Sequence, residues 1–318
     1  MKLFLPLILL LSLGSFAQDE VDVKYVDINW RVGTIRNVSQ HDTVYILSGD
    51  TVMLAVGGTS NFKIKVVELQ DTVYEIRFKN TTYKRPPQMS SEMGDLSVPN
   101  QFVSNIFEDL QEQIASFEYS FLVDKNTGQA FKIKNEEEYI QFAEGIMHTL
   151  FNTIVSNIGK DLTLEEKNEM IIKSKQKIRD EAPSMMQTSL NQFNFIFQAY
   201  QYPYADGTTI EYETQVEDVE VTDGEPVFTD ALCEVESHVR NNELNLEYKF
   251  IYDKEQAYHQ SIVLEGLQNE VPIDEFESTQ TTDVTIDLGS TWIKKSTANI
   301  YTRQGDLRSY QVSTVTIR

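Results

Sequence analysis

Side chains alternate between apolar and polar in two long regions of this sequence, and a helical periodicity separates them. In the first region, Phe62, Ile64 and Val66 alternate with lysines. A period of two places successive side chains on opposite faces of a strand. Between the two regions, apolar side chains recur every three or four residues, as on one face of an amphipathic helix. Strands followed by helices and then by strands predict an α+β fold rather than alternating βαβ units.

These patterns predict three consecutive parts of one domain. The first β region covers residues 21–83, a hairpin and helices occupy residues 100–200, and the second β region covers residues 208–318. No change of composition resembles a linker, so we expect residues 18–318 to form a single α+β domain. We expect a curved, largely antiparallel, half-barrel-like sheet in which the two β regions wrap the central helical segment.

Turn residues mark the expected strand ends. Gly49-Asp50 and Gly57-Gly58 predict turns in the first region, and Asn126-Thr127-Gly128 predicts a hairpin. In the second region the predicted strands are Thr209–Val216, Phe228–Val239, Leu244–Tyr252, Ala257–Leu264, Val284–Leu288, Trp292–Thr302 and Leu307–Ile317.

Capping residues predict where the helices begin. One helix opens at Asn100, and Asn135 caps the next. Thr163 and Glu166 form a capping box for a charged helix that runs to about residue 180. Pro183 is expected to start a separate helical stretch that ends near residue 200.

The N-terminus has the pattern of a cleavable secretory signal. Lys2 precedes an apolar run from Leu3 to Leu13, and small residues stand at Ser15 and Ala17. The run is shorter than the ~20 residues that span a bilayer. We expect residues 1–17 to be a signal peptide and the mature chain to be periplasmic or secreted. A retained N-terminal membrane anchor is the less favoured alternative.

The composition is acidic. Asp and Glu total 49 against 27 Lys and Arg, for a net charge of −22. Because such a charge repels phosphate backbones and anionic headgroups, we expect no nucleic-acid partner and disfavour peripheral membrane docking. We also expect no membrane-spanning segment in the mature chain.

Motifs for catalysis or metal binding are weak. Glu144 and His148 share a helix face but lack a further ligand, so we expect a surface ion pair. The segment from Asp124 to Gly128 resembles the start of a calcium loop, but Asn135 stands where a bidentate Glu is needed. We therefore expect no catalytic residue, metal or cofactor. A hydrolase ranks third among the functions, since carboxylates are too numerous for a catalytic pair to be recognised.

Cys233 is the single cysteine, so no internal disulfide is expected. Alternation places it on one strand face with Ala231 and Val235. We expect a buried and unreactive thiol, because its acidic neighbours disfavour the thiolate.

The segment from Pro183 to Ala205 contains no charged residue. It is interpreted either as a core helix or as the wall of an apolar cavity, where Met and Phe adapt to a ligand. The candidate ligand-binding residues are Met186, Phe193, Phe197 and Tyr200.

Two short segments carry a resemblance to known proteins. They are Gly49-Asp50-Thr51 and FLVDKNTGQAFKIKNEEEYIQF, from Phe121 to Phe142. The order of elements resembles that of secreted gram-negative proteins known by domain-of-unknown-function labels. In layout it is also similar to the LolA/LppX-type lipocarriers, whose half-open sheet wraps helices around an apolar cavity. The resemblance implies carriage of a lipid or a lipoprotein.

Two functions follow from these observations. The leading hypothesis is an exported non-enzymatic binding protein with an apolar cavity, whose partner is an apolar small molecule or lipid. The alternative is a cell-envelope module that binds another protein through strand edges or an acidic face.

Overall fold

Eleven antiparallel strands form one open sheet in this protein, in the order β5-β4-β3-β2-β1-β11-β10-β9-β8-β7-β6. The computed structural model describes residues 22–84, 117–158, 163–218, 227–258 and 272–318. The strands are β1 (Ile35–Ser48), β2 (Thr51–Gln70), β3 (Val73–Lys84), β4 (Glu118–Asp124), β5 (Ala130–Ile133), β6 (Thr209–Asp218), β7 (Val227–Arg240), β8 (Glu243–Tyr252), β9 (Phe276–Asp287), β10 (Trp292–Gln304) and β11 (Leu307–Ile317). The predicted α+β class with a curved antiparallel sheet is confirmed.

The two β regions join at the centre of the sheet. Strand β1 pairs with β11 from Val38 opposite Ile317 to Ser48 opposite Leu307. The first and last strands of the described residues are therefore hydrogen-bonded neighbours, as expected for β regions that share one sheet.

In the part of the chain that the structure describes, two helices lie between β5 and β6. They are α1 (Glu136–Ile158) and α2 (Leu164–Phe197), and α2 continues into a 3₁₀ turn at Gln198–Gln201. The predicted capping box is present, because Thr163 Oγ1 accepts from Glu166 N at 3.3 Å while Glu166 Oε2 accepts from Thr163 N at 2.7 Å. Among the described residues, no helix combines the length and the apolarity needed to cross a membrane.

The expected break before Pro183 is wrong, since α2 is continuous through this residue. An interior proline removes one helical hydrogen bond. Apolar side chains on both sides of the proline are buried on one face of the helix, including Ile178, Ala182 and Leu190. Tertiary burial along this face offsets the loss of the hydrogen bond.

Two other predictions of local structure are also wrong. Gly57 and Gly58 lie inside β2, opposite Thr43 and Asp42, rather than in a turn. A Cβ atom on Gly57 would lie 3.1 Å from the Asp42 carbonyl oxygen, so glycine here permits close strand approach. The predicted strand at 257–264 is helical at 254–258, and its remainder, like the helix predicted at Asn100, lies outside the described residues.

The core lies between one face of the sheet and the end of α2, and we call this face the inner face. Phe193 of α2 contacts Phe78 of β3 and Phe121 of β4, with ring centroids 6.2 and 4.9 Å apart. The segment before β1 adds Ile28 and Trp30, both buried. We call this packed end of the sheet the proximal end, and the opposite end, with the turns at Gly49-Asp50 and Gly305-Asp306, the distal end.

Candidate functional site

Three of the four predicted binding residues lie in a packed aromatic cluster at the proximal end. Phe193, Phe197 and Tyr200 are fully buried, and the ring centroids of Phe193 and Phe197 are 4.8 Å apart. Trp30 packs edge-on against Phe197 at 5.3 Å. Met186 is half-buried at the margin of the core. Protein side chains fill the space around the three rings, as expected if this segment is a core helix. The role of these residues in ligand binding stays a prediction.

Hydrogen bonds hold the same cluster in place. The Tyr200 hydroxyl donates to the Thr291 carbonyl oxygen at 2.6 Å and accepts from the Ile293 amide at 3.2 Å. The Trp30 indole donates to the same carbonyl oxygen at 3.3 Å. Burial raises the pKa of Tyr200 well above its ordinary value, so the phenol stays protonated. These bonds satisfy backbone groups that would otherwise be buried without partners.

The cysteine lies on the inner face of β7, beside Tyr212 of β6 and Phe250 of β8. Its side chain is buried, as predicted, and burial raises the pKa of the thiol. Both facts disfavour the thiolate that a nucleophile requires.

The candidate metal positions serve other purposes in the structure. Arg179 Nε of α2 lies 2.7 Å from Glu144 Oε1, which gives this carboxylate an ion-pair partner. The Asp124 carboxylate accepts from the backbone amides of Asn126 and Thr127 at 2.8 and 3.0 Å, so the predicted hairpin turn is confirmed. In the described part of the chain, no cluster of His, Cys, Asp and Glu is arranged to hold a metal ion.

Apolar side chains also cover the distal part of the inner face, beyond the packed core. Val44 lies opposite Val56, and Ile46 lies opposite Leu54, on the paired strands β1 and β2. Leu54 is 39% exposed and Val56 is 45% exposed. We call these four residues the distal inner surface. They face the same side as the buried core residues of the same strands, yet they remain accessible to solvent.

A row of polar side chains separates the core from the distal inner surface. Gln40 Nε2 donates to both carboxylate oxygens of Asp42, at 3.0 and 3.1 Å. Within the described ranges, buried oxygen atoms of Gln40, Thr282 and Ser313 have no hydrogen-bond partner. Unpaired polar atoms on an inner face favour a bound group or water at this level.

Sequence reasoning missed the distal inner surface. A usable signal was present, because Asp50 is the single charged residue between Thr43 and Phe62. Alternation alone predicts which face these residues occupy and does not show that part of the inner face stays exposed.

A surface groove of about 330 Å³ lies between the helical turn at 254–258 and the 3₁₀ turn Ile273–Glu275. Tyr252 and Phe276 line it together with Lys254 and Arg303. Lys254 Nζ donates to the Asp274 carbonyl oxygen at 3.4 Å. The lining mixes rings with charges of both signs, which defines no single ligand class.

No family model matches this chain, and no curated protein matches it. Among solved structures, it is similar to a lipovitellin described for its lipid–protein interactions, with 13% identity and a TM-score of 0.44. That match covers 91% of this chain and 25% of the lipovitellin chain, so this chain spans about a quarter of its length. An outer membrane channel from Pseudomonas putida F1 matches at 8% identity and a TM-score of 0.15, over 92% of this chain and 98% of the channel. Similarities at this level establish no family for this chain.

Proposed function

We propose that this chain is an exported, non-enzymatic binding protein that holds an apolar, lipid-like ligand against its distal inner surface. The observation that carries the proposal is the exposure of Leu54 and Val56 on the core-facing side of the sheet, with the half-buried Val44 and Ile46 opposite them. Contiguous apolar surface that stays exposed in a soluble fold is typical of a binding site.

The energetics favour an apolar occupant. Removing apolar area from water contributes roughly 25 cal/mol per Å². Leu54 and Val56 are two residues apart on the same face of β2, so a single hydrocarbon group can cover both side chains. The polar row at Gln40 and Asp42 lies beside this surface and offers hydrogen bonds to the polar end of an amphipathic ligand. This combination of an apolar wall with a few polar groups is common in small-molecule sites.

Export is proposed from the pattern of residues 1–17. The intact mass of the protein recovered outside the cytoplasm should correspond to a chain that starts at Gln18. Retention of residues 1–17 in a membrane fraction would contradict the cleaved form.

The binding test uses a neutral, environment-sensitive apolar dye and its displacement by a lipid extract. Leu54→Asn and Val56→Asn should each raise the dye dissociation constant about tenfold, which corresponds to roughly 1.4 kcal/mol of lost apolar contact. Val239→Asn is the matched control, because Val239 has the same 39% exposure as Leu54 but lies on β7. It should leave dye binding unchanged.

Three results decide the proposal. Saturable dye binding that lipids displace and that Leu54→Asn weakens supports the apolar ligand. The absence of saturable binding contradicts it, and so does an equal loss in Val239→Asn. Native mass spectrometry of protein taken from its own cell envelope then gives the mass of any retained ligand.

The acidic outer face of β6–β8 favours a second function, the binding of a basic protein segment. Glu211 lies opposite Glu234, and Glu236 lies opposite Glu247. Like charges directly opposite each other destabilise a sheet, and Lys249 pairs with Glu234 alone. Binding of a short polylysine peptide that Glu236→Gln weakens, together with no dye binding, would favour this function over the first.

A further inference from the structure

Three tyrosines form a row across the outer face of the distal end. Tyr45 of β1 lies opposite Tyr310 of β11, which lies opposite Tyr301 of β10. The rings of Tyr301 and Tyr310 are 5.0 Å apart between centroids. Tyr45 is 44% exposed. Adjacent exposed tyrosines present a flat apolar surface with hydroxyl groups at its border.

The next row toward the distal turns carries two arginines. Leu47 of β1 lies opposite Arg308 of β11, and Arg308 lies opposite Arg303 of β10. On its other side, Arg303 lies opposite Glu277 of β9. The two guanidinium groups therefore start from directly opposed positions, where like charges are destabilising. Among the described residues, neither arginine forms a salt bridge, although the chain has a large excess of carboxylates. Arg303 Nε donates to the Gly305 carbonyl oxygen at 3.2 Å.

The two rows share one electrostatic environment. The pKa of Tyr301 is raised, first by burial and then by the nearby Glu277 carboxylate, while Arg303 and Arg308 act in the opposite direction. Both arginines and the Glu277 carboxylate therefore lie near the Tyr301 hydroxyl.

Apolar side chains extend the patch at its β2 side. Val52 lies opposite Leu47, and the bulge residue Met53 beside it is 64% exposed. The turn at Gly49 is tied to the turn at Asp306, since Gly49 N donates to the Asp306 carbonyl oxygen at 3.0 Å. This hydrogen bond links the two hairpins that carry the tyrosines, the arginines and the apolar residues.

We propose that this outer surface, formed by Tyr45, Leu47, Tyr301, Arg303, Arg308 and Tyr310, docks the protein on a phospholipid surface. The arginines contact headgroup phosphates, since a guanidinium matches phosphate geometry with two parallel hydrogen bonds. The tyrosines lie at the headgroup level, where amphipathic rings are enriched, and the apolar side chains face the acyl boundary. This inference is independent of the ligand proposed for the distal inner surface.

Charge complementarity at this patch favours a phosphate-bearing surface although the whole chain is acidic. At physiological salt the Debye length is about 8 Å, so distant carboxylates are screened. Within that distance Glu277 lies opposite Arg303, while Arg308 has no carboxylate directly opposite it. The phosphate of a zwitterionic lipid is a sufficient partner. Binding should therefore occur on phosphatidylcholine and should not require anionic lipid.

The test is co-flotation of the full chain with phosphatidylcholine vesicles at about 0.15 M salt. Arg303→Gln and Arg308→Gln should each weaken vesicle binding about tenfold, because each removes a charge-assisted hydrogen bond to a lipid phosphate. Lys295→Gln is the matched control, because Lys295 is exposed on the same face of β10 and away from the patch. It should bind vesicles as well as the unchanged protein does.

Several outcomes overturn the proposal. The proposal is wrong if the unchanged protein does not float with vesicles, or if the arginine variants float as well as the unchanged protein. It is also wrong if Lys295→Gln loses as much vesicle binding as the arginine variants do. Both arginine substitutions remove a like-charge contact, so loss of folding is not expected, and denaturant midpoints verify this. Leu54→Asn should keep vesicle binding while it loses dye binding, so failure of either proposal is distinguishable from failure of the other.

Discussion

The two ends of strand β2 have the same apolar alternation and opposite environments. At the proximal end, Phe62 and Ile64 point to the inner face and are 3% and 0% exposed. At the distal end, Leu54 and Val56 point to the same face and stay substantially exposed. The aromatic end of α2 lies over the proximal side chains. Alternation therefore determines which face a residue occupies, while burial depends on the element that lies opposite.

The outer face shows the same contrast in its charges. At the proximal end, Glu75 pairs with Lys134, and Arg77 pairs with Glu118 at 3.1 Å. At the distal end, Arg303 lies opposite Arg308 on one side and Glu277 on the other. On β3–β5 each of these charges is matched by an opposite one, whereas Arg308 faces a like charge and no carboxylate directly opposite.

Truncation of a core ring should give the largest effect and tests the proximal end directly. Phe193→Ala and Phe197→Ala should each lower the free energy of unfolding by about 3–5 kcal/mol, because both rings are packed on all sides. Leu54→Ala, at the distal end of the same sheet, should lower it by less than about 1 kcal/mol. Denaturant unfolding measures all three.

A small loss in Phe197→Ala, together with weaker dye binding, would contradict the packed proximal end. It would instead support the sequence-based prediction that Phe193 and Phe197 line a cavity.

A smaller loss of stability is expected for a substitution in the hairpin turn that packs against Tyr200 of the aromatic cluster. Gly128 has a φ of +67°, and a Cβ atom there would lie 2.6 Å from Tyr200 Cδ2. Gly128→Ala should lower the free energy of unfolding by about 2–4 kcal/mol, because alanine is strained in the left-handed backbone conformation and its Cβ atom displaces the Tyr200 ring. Gly207→Ala is the control, because its φ is +73° and no atom lies within 4 Å. It should cost only about 1–2 kcal/mol.

Equal losses in the two glycine variants would contradict the close packing of the turn on Tyr200. The proximal cluster would then be looser than the ring contacts indicate.

The smallest effect concerns the charge pairing of the proximal outer face. The hydrogen bond from Lys134, with a further one from Ser120 at 3.0 Å, lowers the pKa of Glu75 against the opposing effect of burial. A folded-state pKa below the unfolded value stabilises the fold above the unfolded pKa, and this stability is lost as pH falls through the folded pKa. Glu75→Gln should therefore be less stable than the unchanged protein at neutral pH.

The difference should shrink below about pH 4.3, the ordinary pKa of Glu, and vanish in stronger acid. Unfolding midpoints from neutral pH to about pH 2 measure it, with Glu277→Gln at the distal end as the control. A difference that stays constant with pH would contradict the pairing.

Local sequence signals predicted β10, β11 and the hairpin at residues 126–128, but not the full length of β2 or β9. Alternation placed β10 and β11, and the Gly305-Asp306 turn between them gave the register that sets Arg303 opposite Arg308. The symmetric spacing of Tyr301, Arg303, Arg308 and Tyr310 about that turn was thus readable from the sequence. The position of Tyr45 in this row was not readable from the sequence, because it depends on the pairing of β1 with β11.

The sequence by itself determined the succession of a β region, a helical region and a second β region, the capping box at Thr163 and the face that each strand residue occupies. These depend on neighbours within a few residues along the chain, where backbone geometry and local hydrogen bonds dominate. Only the tertiary structure decided that α2 continues through Pro183 and that Gly57 lies within a strand. It also decided which apolar stretch is buried. Phe193 and Leu54 are both apolar, and they differ in the residues packed against them, which come from distant parts of the chain.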